Sequence, residues 1–269
     1  MSKTIFITGA STGLGKATAK LFAEKGWNVV ATMRTPENDT ELSSIPNIKV
    51  MKLDVTNPQE IKEVAEKVIQ DGVDVVFNNA GYGLMGPLEG LSEEQISRQL
   101  ETNLWGVIRT TQAFIPYFRE HKKGLFLTTT SIGGHVAFPL ASLYHATKWA
   151  LEGWSESMAF ELNPFGITIK TIAPGGISTD FASRSLDMGA HPAYQEMTEK
   201  VWEVFRDPNR IFQYSTPEQI AEVVYEAATD GKNQLRYFAG EDSKQTIALR
   251  RQVGDQVFFE ENKKRFFEN

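Results

Sequence analysis

The chain has 269 residues, 41% hydrophobic and 23% charged, a globular composition with enough length to bury one large core. A net charge of −6 argues against nucleic acid as a partner, because phosphate backbones are held by clustered Lys and Arg. The complete lack of cysteine excludes disulfides, thiolate metal sites and thiol nucleophiles, so redox chemistry must come from a cofactor.

Met1-Ser2-Lys3 runs at once into Thr4-Ile5-Phe6-Ile7-Thr8, too short and too β-like for a secretory signal. No apolar run reaches the roughly 18 residues that a membrane helix needs. A cytoplasmic location without membrane contact is the expectation. Lys3 to Thr8 reads as a strand, and Lys16 to Lys25 has the apolar spacing of an amphipathic helix. Between them lies Thr8-Gly9-Ala10-Ser11-Thr12-Gly13-Leu14-Gly15, at the first strand-to-helix turn, where a doubly wound sheet binds a dinucleotide. Gly9, Gly13 and Gly15 let the backbone bend sharply and approach a pyrophosphate, whose charge is met by the free N–H groups and dipole at the helix start. Ser11 and Thr12 add hydroxyl donors, and Leu14 lies inside the same turn.

Trp27 to Thr32 is the second strand, and its end should meet the adenosine ribose. The segment Ala31-Thr32-Met33-Arg34 has no carboxylate for a free 2′-hydroxyl, whereas Arg34 is suited to a 2′-phosphate. NADP(H) is therefore preferred, with NAD(H) as the alternative. Further strands follow at Ile48–Leu53, Val73–Phe77, Leu125–Thr129, Ile167–Ile172 and Gln234–Phe238. Helical periodicity fills Ile61–Gln70, Ile96–Arg119, Leu143–Leu162 and Gln219–Thr229. This alternation predicts a single α/β domain over residues 1–269, a Rossmann-like doubly wound parallel sheet of about seven strands with helices on both faces. Thr179 to Tyr214 breaks the rhythm and reads as an irregular insertion, a substrate-binding lid over residues 179–214.

Within the predicted helix Leu143–Leu162, Tyr144 and Lys148 stand at i and i+4 and project from one face. A phenol titrates near 10, too high for a base at neutral pH, and an adjacent ammonium lowers that value. Such a pair is common by chance, so its weight comes from Ser131, which follows the strand Leu125–Thr129 at the carboxyl edge of the sheet.

Thr8 to Gly15, Asn78-Asn79-Ala80-Gly81, Asn103, Ser131, Tyr144 with Lys148, and Pro174-Gly175 resemble, in that order, the elements of the short-chain dehydrogenase/reductase family. The resemblance spans roughly Lys3 to Phe181. It implies that Tyr144 exchanges a proton with a carbonyl or alcohol oxygen while hydride moves to or from the nicotinamide, and that Ser131 positions that oxygen. It further implies that Lys148 holds the nicotinamide ribose and depresses the tyrosine pKa, and that Asn103 anchors a proton-relaying water. Asp54 would meet the adenine; Asn78 to Gly81, with Asn79, Ala80 and Gly81 as contacts, would line the adenosine side; Val55, Pro174, Gly175 and Ile177 would also bind the cofactor, and Thr179 would contact its carboxamide. On the residues alone, Asn79 could equally brace strands and Asp54 cap a turn.

Ser131 to Gly134, Phe138-Pro139, Ala150 to Gly153 and Pro164 to Ile167 look like the subgroup of 17β-hydroxysteroid and retinol dehydrogenases, and the aromatic insertion agrees with a hydrophobic ketone, aldehyde or alcohol. The same resemblance implies a homodimer or other homo-oligomer through the Ile96–Arg119 and Leu143–Leu162 helices. His121, His135, His145 and His191 are scattered without metal spacing, so no metal is expected, and His135 reads as a pocket-wall or surface residue. A nucleotide-sugar epimerase fits the glycine spacing poorly. A non-catalytic dinucleotide sensor or scaffold is the alternative outside enzymes, and it would not need Ser131, Tyr144, Lys148 and Asn103 together.

Overall fold

Ile5 and Ile7 of strand β1 (Thr4–Ile7) pack in one apolar core and Phe6 in another, so neighbouring side chains of one strand are buried on opposite faces. That is the pattern of a parallel strand covered by helices on both sides. The computed structural model describes residues 2–178, 186–207 and 214–268. In it, β1 pairs with β2 (Asn28–Met33) and with β4 (Val75–Asn78), and β2 pairs with β3 (Ile48–Lys52). Beyond β4 lie β6 (Gly124–Thr129), β7 (Ile167–Pro174) and β9 (Arg236–Ala239). All seven run parallel in the order β3-β2-β1-β4-β6-β7-β9. The connections turn outward in opposite directions from β1 and β4, leaving a crevice at the carboxyl ends of those two strands.

Helices α1 (Gly13–Glu24) and α7 (Pro217–Thr229) cover one face with Leu14, Phe22, Ile220 and Val224. On the other face α2 (Pro58–Asp71) and α4 (Gly106–His121) contribute Ile61, Val64, Phe114 and Phe118, joined by Leu162 from α5 (Ser142–Leu162). The starts of these helices are written locally. Asn57 accepts hydrogen bonds from the amides of Gln59 and Glu60 before α2, and Thr216 forms a reciprocal capping box with Gln219 before α7.

Two expectations change, and one stretch without a stated expectation is helical. The single helix over Ile96–Arg119 is instead α3 (Glu93–Leu100), one π-helical turn (Glu101–Trp105) and α4. At that turn Gly106 comes so close to the chain after β3 that a Cβ there would lie 3.0 Å from Val55 Cγ2. The segment expected to be irregular holds a strand, β8 (Leu186–Met188), paired in parallel with β5 (Gly83–Met85), and a helix, α6 (Gln195–Arg206). The charged carboxyl-terminal stretch forms α8 (Glu241–Val253) and α9 (Asp255–Phe267). Among the described residues no helix is long and apolar enough to cross a membrane.

A buried polar knot ties the far edge of the sheet to α7. Lys170 Nζ donates to Asp230 Oδ1 (2.8 Å) and to the Ala227 carbonyl (2.8 Å), and the Tyr237 hydroxyl donates to Asp230 Oδ2 (2.6 Å). Burial works against the Asp230 charge, but the bonds from Lys170 and Tyr237 outweigh it and bring its pKa to about 2. Asp230→Asn leaves the Lys170 ammonium buried without a counter-charge and is expected to cost about 3 kcal/mol in urea unfolding at pH 7. Because the folded pKa lies below the unfolded value of about 3.9, this contribution is present above pH ~4 and is lost as pH falls toward about 2. The two proteins should therefore converge in stability over that interval.

Candidate active site

The turn from β1 into α1 is built on missing side chains. Gly9 has φ +67° and Gly13 φ +54°, a region that disfavours any residue with a Cβ. A Cβ on Gly9 would lie 2.7 Å from Ala80 Cα, and one on Gly15 would lie 2.3 Å from the Gly9 carbonyl oxygen and 2.6 Å from Asn79 Nδ2. Thr12, the residue before α1, makes no side-chain cap. The amides that open this helix have no carbonyl one turn behind them, and they face the crevice as donors for an anion. Ser11 and Thr12 are exposed beside them, while Leu14 is buried in the core beneath. The described residues thus fit the pyrophosphate of a dinucleotide.

Thr8 and Asn79 lock this turn to β4. Thr8 Oγ1 accepts from the amides of Asn79 (2.9 Å) and Ala80 (3.0 Å). Asn79 Nδ2 donates to the carbonyls of Thr8 and Gly9, both at 3.1 Å, and its Oδ1 accepts from Thr129 Oγ1 at 3.3 Å. Of the two readings of Asn79, the bracing one describes its side chain. Asp54 likewise closes a turn, its Oδ1 accepting from the Thr56 amide (2.9 Å) and hydroxyl (2.8 Å), while Val55 is buried beside Gly106. Arg34 stands exposed at the end of β2, with no ion pair among the described residues.

Gly81 lies against Asn103, in the π-helical turn, which is almost wholly buried. Asn103 Oδ1 accepts from the Tyr82 amide (3.0 Å) and its Nδ2 donates to the Tyr82 carbonyl (2.9 Å), so the side chain clamps the backbone of one residue of the loop after β4. At the end of β7, the Gly175 amide donates to the Ala239 carbonyl (3.0 Å), and a Cβ on Gly175 would run into the Asp242 carboxylate. Asp242 Oδ2 also accepts from the Gly176 amide (2.6 Å), a tie between β7 and α8 that the sequence had not signalled. Pro174 is buried and Ile177 bridges to Ser215. Thr179 lies outside the described residues.

Ser131, Tyr144 and Lys148 come together at the carboxyl end of β6. Ser131 begins a short turn (Ile132–Gly134), and its Oγ accepts from the Gly133 amide at 3.0 Å. Tyr144 lies deep among protein atoms yet keeps part of its surface open; burial pushes its pKa up, and the Ser131 hydroxyl beside the phenol opposes that rise. Lys148 was expected to depress the phenol. Its Nζ lies 5.8 Å from the centre of the Tyr144 ring and donates instead to the Thr129 carbonyl at 2.8 Å. Burial brings the Lys148 ammonium down to about 8, with the charge of Glu152, one helical turn on, opposing the fall. Glu152 is itself buried and accepts from Arg236 Nε (2.9 Å) and Thr171 Oγ1 (3.3 Å). His135 points away from Tyr144, with Nε2 3.3 Å from Glu152 Oε1 and its ring against Phe238.

The segment after β7 meets this site from the side. Asp187 in β8 accepts from Gln95 Nε2 (3.0 Å) and pairs with Arg98, whose Nε also donates to the Tyr82 hydroxyl (3.3 Å). Phe138, in the loop between Ser131 and Tyr144, packs on Phe205 of α6 and Phe266 of α9. In the same loop Leu140 has φ +62°, and its carbonyl accepts the Gly86 amide at 2.7 Å.

A profile of the short chain dehydrogenase family matches residues 3–189, and the chain belongs to that family. It is 38% identical over 235 residues to an uncharacterized oxidoreductase of Schizosaccharomyces pombe, covering 86% of this chain and 98% of that one. It is 32% identical over 260 residues to human 17-beta-hydroxysteroid dehydrogenase type 1, covering 90% of this chain and 79% of that one. A short-chain dehydrogenase from Streptomyces avermitilis matches with a TM-score of 0.81 and 30% identity over 94% of each chain. An alcohol dehydrogenase from Thermococcus sibiricus, complexed with 5-hydroxy-NADP, matches with a TM-score of 0.72 and 28% identity over 89% of this chain and 97% of that one. The chain is thus an oxidoreductase with the Rossmann-like fold of its family.

The glycine turn gives a direct test of its packing. Gly15→Ala must push apart the Gly9 carbonyl and Asn79, both tied to β1 and β4, and is expected to cost about 1–3 kcal/mol, as overpacked sites do. Differential scanning calorimetry beside Gly153→Ala, another helical glycine without a positive φ but with nothing within 4 Å of its Cβ, isolates the clash from the change of residue itself.

Proposed function

We propose that the chain interconverts a carbonyl compound and an alcohol with a nicotinamide dinucleotide, NADP(H) in preference to NAD(H), and that its usual substrate is a hydrophobic ketone or aldehyde. The observation that carries this reading is the gathering of Ser131, Tyr144 and Lys148 at the carboxyl edge of β6, beside a turn fitted to a pyrophosphate. When bound, the cofactor would supply the hydride for reduction, or take it in oxidation. Gly9 to Gly15 would hold its pyrophosphate. Lys148, freed from the Thr129 carbonyl or sharing it, would hold the nicotinamide ribose.

Tyr144 gives its proton to the substrate oxygen in reduction and removes one in oxidation. Burial of the phenol keeps that proton on Tyr144 at neutral pH until the substrate oxygen takes it. Ser131 donates its hydroxyl hydrogen to the same oxygen, favouring the charge that gathers there. Asn103 holds the backbone N–H and carbonyl of Tyr82, and with them the loop Asn79–Gly81 that would flank the adenosine. Residues 179–214 would act as the lid, and the ring cluster of Phe138, Phe205 and Phe266 supports an apolar substrate wall. The exposed Trp105 and Phe160 support a homodimer through α4 and α5.

The test follows absorbance of NADPH and NADH separately across aromatic, aliphatic and steroidal ketones and aldehydes. Turnover is expected with apolar carbonyls and should fall by ~10² to 10⁴ in Tyr144→Phe, the usual contribution of a general acid. Cofactor binding that survives this substitution, with no turnover by the unaltered chain on any compound, would favour a sensor.

The coenzyme choice has its own measurement. Arg34→Ala is expected to weaken NADPH binding about tenfold, the scale of a charge-assisted contact of roughly 1.5 kcal/mol. NADH binding should move by less than about twofold, and equal losses for both coenzymes would remove Arg34 from phosphate recognition.

A further inference from the structure

His145 is adjacent in sequence to Tyr144 but its imidazole turns inward, almost fully buried, and makes two hydrogen bonds to the loop that carries Ser131. Nε2 lies 2.9 Å from the Phe138 amide, which can only donate, so Nε2 is the acceptor and the ring hydrogen sits on Nδ1. Nδ1 then donates to the Gly133 carbonyl at 2.8 Å. Burial holds the imidazole pKa below its ordinary value, in keeping with this neutral form.

Gly133 links this ring to the candidate site. Its carbonyl is held by His145 and its amide donates to Ser131 Oγ at 3.0 Å. No other residue fits there, since a Cβ on Gly133 would lie 2.9 Å from His145 Nδ1 and 3.3 Å from Ser131 Oγ. A hydroxyl has one hydrogen and two acceptor positions. With one acceptor position filled by the Gly133 amide, the Ser131 hydroxyl keeps one hydrogen and one acceptor position, and its lowering effect on the Tyr144 phenol is that of a donor.

We propose that His145 is a positioning residue, closing a circuit from α5 through Gly133 and Ser131 back to Tyr144 that fixes the direction in which Ser131 donates. The proposal rests on the reading of Tyr144 and Ser131 given above. It predicts that His145 acts on Tyr144 only through Ser131.

The test uses the full chain labelled with ¹³Cζ-tyrosine, the Tyr144 resonance being assigned by its loss in Tyr144→Phe, and follows the midpoint of Tyr144 titration by NMR. Ser131→Ala should raise that midpoint, because a bond that favours the phenolate is removed. His145→Phe should raise it too, and adding Ser131→Ala to His145→Phe should raise it no further. His145→Asn, which keeps a donor near the Nδ1 position, should recover most of the unaltered behaviour, whereas His145→Gln, whose amide lies nearer the Nε2 position, should not. If His145→Phe fails to fold, the Asn and Gln variants decide alone. Where turnover is measured, His145→Phe should lower kcat at least tenfold and leave KM for NADPH within twofold.

An unshifted midpoint in His145→Phe or Ser131→Ala, additive shifts in the combined variant, or equal behaviour of Asn and Gln would each overturn the circuit. The titration needs no substrate. Full turnover in Tyr144→Phe would instead defeat the catalytic reading and leave the circuit to be judged by the titration alone.

Discussion

Everything at this site depends on the absence of side-chain atoms between the ends of β1 and β4. The strands lie one hydrogen-bonded spacing apart, and the chain must leave β1, turn and start α1 within that width. It does so because Gly9 and Gly15 let the backbone touch itself and the Asn79 amide. Asn79 then spends both ends of its side chain on the contact, to the carbonyls of Thr8 and Gly9 and to the Thr129 hydroxyl. Because Thr129 ends β6 and its carbonyl receives Lys148, the same brace reaches the side of the crevice that holds Ser131, Tyr144 and Lys148.

The second theme is that several polar side chains hold backbone. Asn103 grips both backbone polar groups of residue Tyr82, His145 holds the amide of Phe138 and the carbonyl of Gly133, and Asp242 takes the Gly176 amide. Buried amides and carbonyls outside strands and helices need partners, and loops at the edge of a sheet lack them. Side chains that supply those partners fix loop geometry to within a hydrogen bond, which leaves Ser131 and Tyr144 little freedom.

How much of this was legible follows from the kind of signal each part carries. The strands of the sheet and the helices α1, α2, α5 and α7 have one-sided or fully apolar patterns, and these are visible in single residues such as Ile5, Phe6 and Ile7. Ser131, Tyr144 and Lys148 were legible as well, because residue type and spacing place them on one edge. The carboxyl-terminal helices were not: α8 buries only Ser243 and Ile247, and α9 only Phe258 and Phe266, too few to show a period. The π-helical turn has no pattern of its own, since it follows from the approach of Gly106 to Val55. Helical spacing fixes which face of α5 Lys148 occupies, but not that its ammonium meets the Thr129 carbonyl. His145 was passed over for the same reason: a lone histidine has no signature until its two partners are seen.

The lock between Thr8 and Asn79 joins residues 71 apart in the chain. No short fragment can form it, because the loop closure must come first and the contacts that reward it come later. The crevice is therefore a late product of folding, absent from any state in which β1 and β4 have not met. A small molecule that fits the glycine turn binds only the assembled sheet and draws the folding equilibrium toward it by mass action. Occupancy of the crevice and integrity of the central strands are thus one equilibrium seen from two sides.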